Sequence, residues 1–296
     1  PTQGSINSNP ANSDAINASH TIAVEIDSAT AGQLNASGFG GDNITIDYGS
    51  TGVSPYDVAP ENISVEHLSA SGDNVVHNQT LFSDSSNSAN ITATGSTIDL
   101  ELNASNNVSL SSGDIIRVNI TDDLQHSGAS TGDVTVTMET GNGSANDVSV
   151  TPTLSIGSDA PIEVNDNYFT SLEEANSSAT DDAEINITGD VNEFYAQPEN
   201  ITSSNNGLDQ IAIDNTPLTI NGGDNTVLLP ALTGGTGVAV DVTSTKVTID
   251  DVNFESTAIL DGDEADTAIE TDQNLVNVTN SDFQGFGGPV IDQIGG

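Results

Sequence analysis

The chain has 296 residues, with 44 acidic side chains against two basic ones, Lys246 and Arg117, a formal charge of −42 and no cysteine. Nucleic acids and anionic membrane surfaces are bound through Lys and Arg, so neither is an expected partner, and without Cys there is no disulfide, thiol nucleophile or thiolate metal site. Hydrophobic residues make up 34% of the chain and fall in alternating groups, which separates it from a disordered acidic tail.

Residues 1–19 form a polar Asn/Ser segment whose larger apolar side chains are Ile6 and Ile16. Such a composition does not order itself, so this tail is expected to lie on its own domain or to run as an added strand onto a neighbouring copy, with Ile6 and Ile16 as assembly residues. The chain begins at Pro1 and its only methionine is Met138, so a secretory signal is expected to have been removed. No run approaches the ~20 apolar residues of a membrane span.

From His20 to about Gly157 short alternating runs are separated by Gly/Ser/Asn/Asp turns: 20–26, 43–48, 62–68, 74–82, 97–102, 114–121, 133–139 and 148–156. This spacing predicts an antiparallel, Ig-like β-sandwich over 20–158.

After Asp159-Ala160-Pro161 the character changes. A helix is predicted to start at Thr170 or Ser171 as N-cap, with Glu173 and Glu174 in its first turn. Beyond it, segments 209–221, 238–250 and 267–279 repeat with a period of 29 residues. Ile211, Val240 and Ile269 coincide, as do Ile213, Val242 and Thr271; Leu218, Val247 and Val276; and Ile220, Ile249 and Val278, while Phe254 and Phe283 continue the register. Each unit reads as two short strands joined by a tight turn. One unit cannot bury its inward residues alone, but stacked copies align them in columns about 4.8 Å apart. The prediction for 159–296 is therefore a right-handed parallel β-helix, with Ile185/Ile187 and Val290/Ile291 as partial coils and the helix capping its first end. The other end, through Phe286, Val290, Ile291 and Ile294, stops on apolar residues without an amphipathic cap, which makes it the expected assembly surface.

Fourteen Asn-x-Ser/Thr acceptors for N-linked glycans occur, at Asn17, Asn35, Asn43, Asn62, Asn78, Asn90, Asn103, Asn107, Asn119, Asn142, Asn176, Asn186, Asn200 and Asn277. Asn119, Asn186 and Asn277 each stand between two aliphatic residues, so strand alternation is expected to aim them at solvent. Asp261, Asp263, Glu264 and Asp266 form a dense oxygen-donor loop that suits calcium or other cations, although it lacks the full twelve-residue calcium loop. Asp122, Asp123 and His126 make a weaker cluster. His20, His67, His77 and His126 have no metal-site spacing, and no nucleophile elbow, phosphate loop or dinucleotide fingerprint is present. No cofactor is required on this reading.

The 29-residue repeat resembles the parallel β-helices of the pectate-lyase and polysaccharide-hydrolase superfamily, which implies an enzyme or a carbohydrate-binding adhesin as the alternative function. A lyase of that kind needs a basic residue to take a proton, and Lys246, aligned with Pro217 and Leu275, reads as an exterior lysine instead. Glycoside hydrolysis needs two carboxylates ~5–9.5 Å apart, which Asp241, Asp250, Asp251 and Glu270 could supply on the outer face. Carboxylates at ~6 Å repel by ~0.7 kcal/mol in water, and a surface with dozens of them is adapted to molar salt, where screening shrinks to ~3 Å. With that charge, the sequons and the repeat, the chain resembles secreted surface glycoproteins of extremely halophilic archaea. The resemblance implies an extracellular, glycosylated, non-enzymatic subunit that polymerises with copies of itself into a filament or sheath.

Overall fold

The computed structural model describes residues 3–26, 32–35, 43–55, 58–68, 74–75, 91–101, 107–139, 148–193, 211–213, 217–231, 238–242, 245–258, 267–272 and 275–294. These residues are nearly all β, with one α-helix, and the chain divides into two units: Pro1–Ser8 with Asn12–Ile156, and Asn9–Ala11 with Gly157–Gly296. No helix among the described residues is long and apolar enough to cross a membrane.

In the first unit the strands are, in order, β1 (Gln3–Asn9), β2 (Ala18–Glu25), β3 (Gly32–Asn35), β4 (Asn43–Asp47), β5 (Val53–Ser54), β6 (Ile63–Leu68), β7 (Asn74–Val75), β8 (Ile91–Thr94), β9 (Thr97–Glu101), β10 (Asn107–Leu110), β11 (Ile115–His126), β12 (Gly132–Asp133), β13 (Thr135–Met138), β14 (Val148–Val150) and β15 (Thr153–Leu154). One sheet runs β1-β2-β11-β6-β7, with β5 also on β11; a second runs β14-β13-β4-β9-β8. Val118 of β11 stands opposite Ile22 and Val65, and Ile46 of β4 opposite Val136 and Ile98, so alternation sends one aliphatic set from each sheet into a shared core.

The polar N-terminal segment is accounted for inside this unit. β1 is hydrogen-bonded to β2 of the same chain, and Ile6 is buried in the core while Ile16 lies 75% exposed. Of the two expected placements, the described residues show the segment on its own domain. β2 supplies the backbone partners, and one aliphatic anchor then holds an otherwise polar strand. β11 also runs farther than predicted. Asp122 and Asp123, both in the left-handed region (φ 62° and 65°), form an irregularity between Ile120 and Leu124 that lets pairing resume to His126. The predicted 148–156 run splits into β14 and β15 around Pro152, which has no N–H to give a ladder. Of the predicted 74–82 strand, Asn74–Val75 is a strand and the rest lies outside the described residues.

The second unit contains β16 (Ile162–Val164), β17 (Asn167–Phe169), α1 (Leu172–Ser178), β18 (Ala183–Ile187), β19 (Val191–Asn192), β20 (Ile211–Ile213), β21 (Leu218–Asn221), β22 (Thr226–Ala231), β23 (Val238–Val242), β24 (Val247–Asp250), β25 (Asn253–Ala258), β26 (Thr267–Asp272), β27 (Val276–Thr279), β28 (Asp282–Gln284) and β29 (Ile291–Ile294). Three parallel ladders join them: β18-β21-β24-β27, β19-β22-β25-β28 and β20-β23-β26-β29. The register pairs the residues that the 29-residue period aligns, such as Leu218, Val247 and Val276, or Ile211, Val240 and Ile269. Each repeat holds three strands rather than the expected two, because the segment through Phe254 and Phe283 forms a ladder of its own. Gly222 sits at a corner where a Cβ would lie 2.2 Å from the Asp251 carbonyl oxygen, so only glycine fits.

At the start of this unit β16 pairs antiparallel with both β17 and β18, and α1 packs on β16, β17 and β20. Ser171 is the N-cap and accepts from the Glu174 amide at 3.4 Å, while Leu172 and Ala175 enter the core.

Candidate assembly surface and the predicted sites

The last repeat differs from the ones beneath it in a single respect, the cover on its outer side. Val247, Ile249, Phe254 and Ile269 are fully buried, whereas their register partners Val276, Val278 and Phe283 are half-buried and Ile291 is 44% exposed. Val290 is 39% exposed. Phe283 stacks on Phe254 (5.4 Å, 16°) and meets half-buried Phe286 edge-on (6.4 Å, 61°), so an aromatic column climbs to the end of the unit. Ile294 belongs to β29; its side chain lies outside the described residues. β27, β28 and β29 are the last strands of their ladders among the described residues, which leaves one hydrogen-bonding side of each without a strand neighbour there.

The flanks of the ladders are acidic. Asp241, Glu270 and Asp292 stand in register on β23, β26 and β29, which places like charges one strand apart. Asp250 accepts from the Thr279 hydroxyl (2.7 Å) and the Asn280 amide (2.8 Å), and these bonds hold its carboxyl below the usual range. Asp251 is raised instead, by desolvation and by neighbouring Asp224. Lys246 is exposed.

At the opposite end Glu193 is buried against the start of α1. Its carboxyl accepts from the Leu172 amide at 2.5 Å and the Ser171 hydroxyl at 3.1 Å, yet loss of hydration pushes its pKa up to about 7. Nothing in the local sequence marks this residue, which lies 21 positions beyond Leu172.

The first unit buries three polar constellations that its alternating pattern only partly betrays. Arg117, one of the two cations of the chain, pairs with Glu66 at 2.5 Å, and both are buried. His67 Nε2 lies 2.7 Å from Asp114, whose carboxylate also accepts from the Ser111 amide. His20 contacts the Tyr48 hydroxyl through Nδ1 (3.0 Å) and His126 Nε2 through its own Nε2 (3.0 Å), and His126 Nδ1 reaches the Asn12 carbonyl (2.7 Å). His20 shares the inward face of β2 with Ile22 and Val24, and that was the signal available in the sequence.

The sequons separate into distinct environments. Asn17 and Asn277 are exposed, and Asn186 is half-buried between buried Ile185 and Ile187. Asn43 is half-buried as well. Asn62 donates its amide to Asp123 (2.8 Å), and Asn176 donates to the Ala212 carbonyl (2.9 Å). Asn119 is only 1% exposed, which corrects its expected outward orientation: both faces of β11 are buried over Ile115–Ile120, so alternation there carries no side chain to solvent. Asn35 and Asn107 lie in β3 and β10, their side chains outside the described residues, and Asn78, Asn90, Asn103, Asn142 and Asn200 lie outside them altogether. The same holds for the oxygen-donor loop of Asp261, Asp263, Glu264 and Asp266, and for His77.

No known protein family matches the sequence, and no curated protein matches it. One solved structure, described as manganese lipoxygenase of Gaeumannomyces graminis with part of zonadhesin of Komagataella pastoris, is 13% identical over 51% of this chain and 45% of that one, with a TM-score of 0.28. The chain thus spans less than half the length of that structure's chain, and so distant a likeness carries no argument.

Proposed function

We propose that the protein is a structural, non-enzymatic subunit of an extracellular filament or sheath of an extremely halophilic archaeon, with an Ig-like β-sandwich followed by a right-handed parallel β-helix and with N-linked glycans on its outward asparagines. The observation that carries this reading is the uncovered last repeat. Val276, Val278, Phe283, Phe286, Val290 and Ile291 extend aliphatic and aromatic columns to a face where β27–β29 also offer open backbone edges. An apolar face with open edges is a docking surface. A copy of the chain seated there with a different part of its surface makes a heterologous contact, which propagates as a fibre when its rotation does not close. The N-terminal segment pairs with β2 of its own chain, so the reading rests on the last repeat. The charge of −42 supports the halophilic part of the reading, because acidic surfaces such as the Asp241–Glu270–Asp292 ladder approach one another only when screened. Cations are expected as screening partners, with no cofactor needed. Negative-stain electron microscopy of the purified chain in molar salt tests the proposal: filaments are expected, and monodisperse single particles at all salt concentrations would refute it.

A further inference from the structure

We infer that the buried His20–His126 pair is an acid-sensitive latch that fastens the Asn12–Ala15 segment to the end of β11 in the first unit. Three hydrogen bonds fix where the protons sit. The Asn12 carbonyl can only accept, so the proton of neutral His126 sits on Nδ1 and its Nε2 is an acceptor. His20 must then donate through Nε2, which leaves its Nδ1 to accept from the Tyr48 hydroxyl. The hydrogen-bond network thereby assigns a single tautomer to each ring. In that neutral state every polar atom of the relay is used once.

An added proton is poorly accommodated. On His126 it occupies Nε2 and opposes the His20 N–H across 3.0 Å; on His20 it occupies Nδ1, where the Tyr48 hydroxyl must turn from donor to acceptor while the cation stays buried. Among the described residues the ionisable groups facing the pair are Tyr48, which follows β4, and the two imidazoles themselves, on β2 and β11; Asp14 of the latched segment is exposed. No described carboxylate acts on either ring, whereas His67, four register positions along the same face, has Asp114 as its partner. Burial accordingly lowers both imidazoles below the usual range, His20 the more strongly and with His126 as its second cause. The backbone makes the segment the element that yields. His126 N–H donates to the Ala15 carbonyl (2.7 Å) and Ala129 N–H to that of Ser13 (3.0 Å), so displacing His126 withdraws the supports of residues 12–15 together.

The sign follows from linkage: groups with folded pKa values below their open-state values give stability that is complete above about pH 6.5 and is lost as pH falls below it. Hydrogen–deuterium exchange of the intact protein in molar salt tests the latch. After correction for intrinsic exchange, opening at the amides of His126 and Ala129 is expected to rise about tenfold per pH unit below about 6 for each proton taken up, while amides of β21 and β24 keep their protection. Histidine side-chain NMR should show His20 protonated on Nε2 and His126 on Nδ1 at neutral pH, both titrating with that opening. The variant His126→Gln, which keeps a donor for Asn12, should lose at least tenfold of the acid response between pH 7 and 5. Imidazoles that titrate near 6.5 with no change in exchange would overturn the inference, and so would an acid response unchanged in His126→Gln.

Discussion

The ladders of the second unit and the sheets of the first handle polar groups differently. The second buries columns of like aliphatic residues and settles its polar atoms between neighbouring repeats, as in the Thr279–Asp250 contact and the Val252 amide on Ser281, 29 residues apart. The first buries charge and imidazole in pairs made across long sequence separations: Arg117 with Glu66, 51 residues apart, and His20 with His126, 106 apart. A repeat makes the same contact many times and can be extended or opened at its end; a non-repeating sheet relies on individual contacts, each of which occurs once. The proposed assembly through the repeats draws on the first kind of contact and the proposed latch on the second.

The largest expected effect is in the first unit. Arg117→Met leaves Glu66 buried without its guanidinium and should cost about 3–5 kcal/mol, measured by guanidinium-free thermal or urea unfolding, with little change as salt is varied because the pair is shielded from it. A surface-like loss below 1 kcal/mol would remove the contrast between the units. Next come the columns. Ile249→Ala should cost about 2–5 kcal/mol, while Val278→Ala, its register partner in the last repeat, should cost clearly less because that side chain is smaller and only half-buried. Equal costs would mean that the last repeat is covered in solution.

A comparable pH effect is expected at the closed end of the second unit. Glu193, raised to about 7 from 4.5, binds its proton more tightly in the folded state, so stability from this group is full below about pH 4.5 and falls as pH rises through 7. The total is about 3 kcal/mol at the order-of-magnitude level. Glu193→Gln should flatten that part of the stability-against-pH curve, the reverse in sign of the histidine latch; an unchanged slope would contradict the burial argument. The smallest effect is on the glycans. Glycopeptide mapping of native material is expected to find Asn17 and Asn277 modified and Asn119 bare, and Asn277→Gln should change stability by no more than about 0.5 kcal/mol.

These contrasts also explain what could be read from the sequence. The register of the second unit was legible because Ile211, Val240 and Ile269 recur at a fixed interval, and one period error would have sent every column to the wrong face. The third strand of each repeat was missed because its inward residues change from copy to copy: Val227 and Leu229 stand in register with Phe254 and Ser256, and Phe254 with Phe283. In the first unit most strands were visible as alternation, but the pairing partners were not, since nothing local ties Arg117 to Glu66 or His20 to His126. Asn119 failed for the same reason: alternation reports two faces of a strand and says nothing about whether the second is covered. For the segment 1–19 the sequence left two placements open, because a polar strand is held through its backbone, which pairs equally well with any free strand edge. The exposure of Val290 and Ile291 was legible as two apolar residues beside the Gly-rich stretch 285–288.

Sedimentation velocity in molar salt, comparing the wild-type chain with the double variant Val290→Asp/Ile291→Asp, tests the central claim most directly. The wild type is expected to sediment as large polymers that dissociate as salt is withdrawn, and the variant as a folded single species at every salt concentration. Polymers of undiminished size in the variant, or a wild type that stays monomeric in molar salt, would contradict assembly through the last repeat.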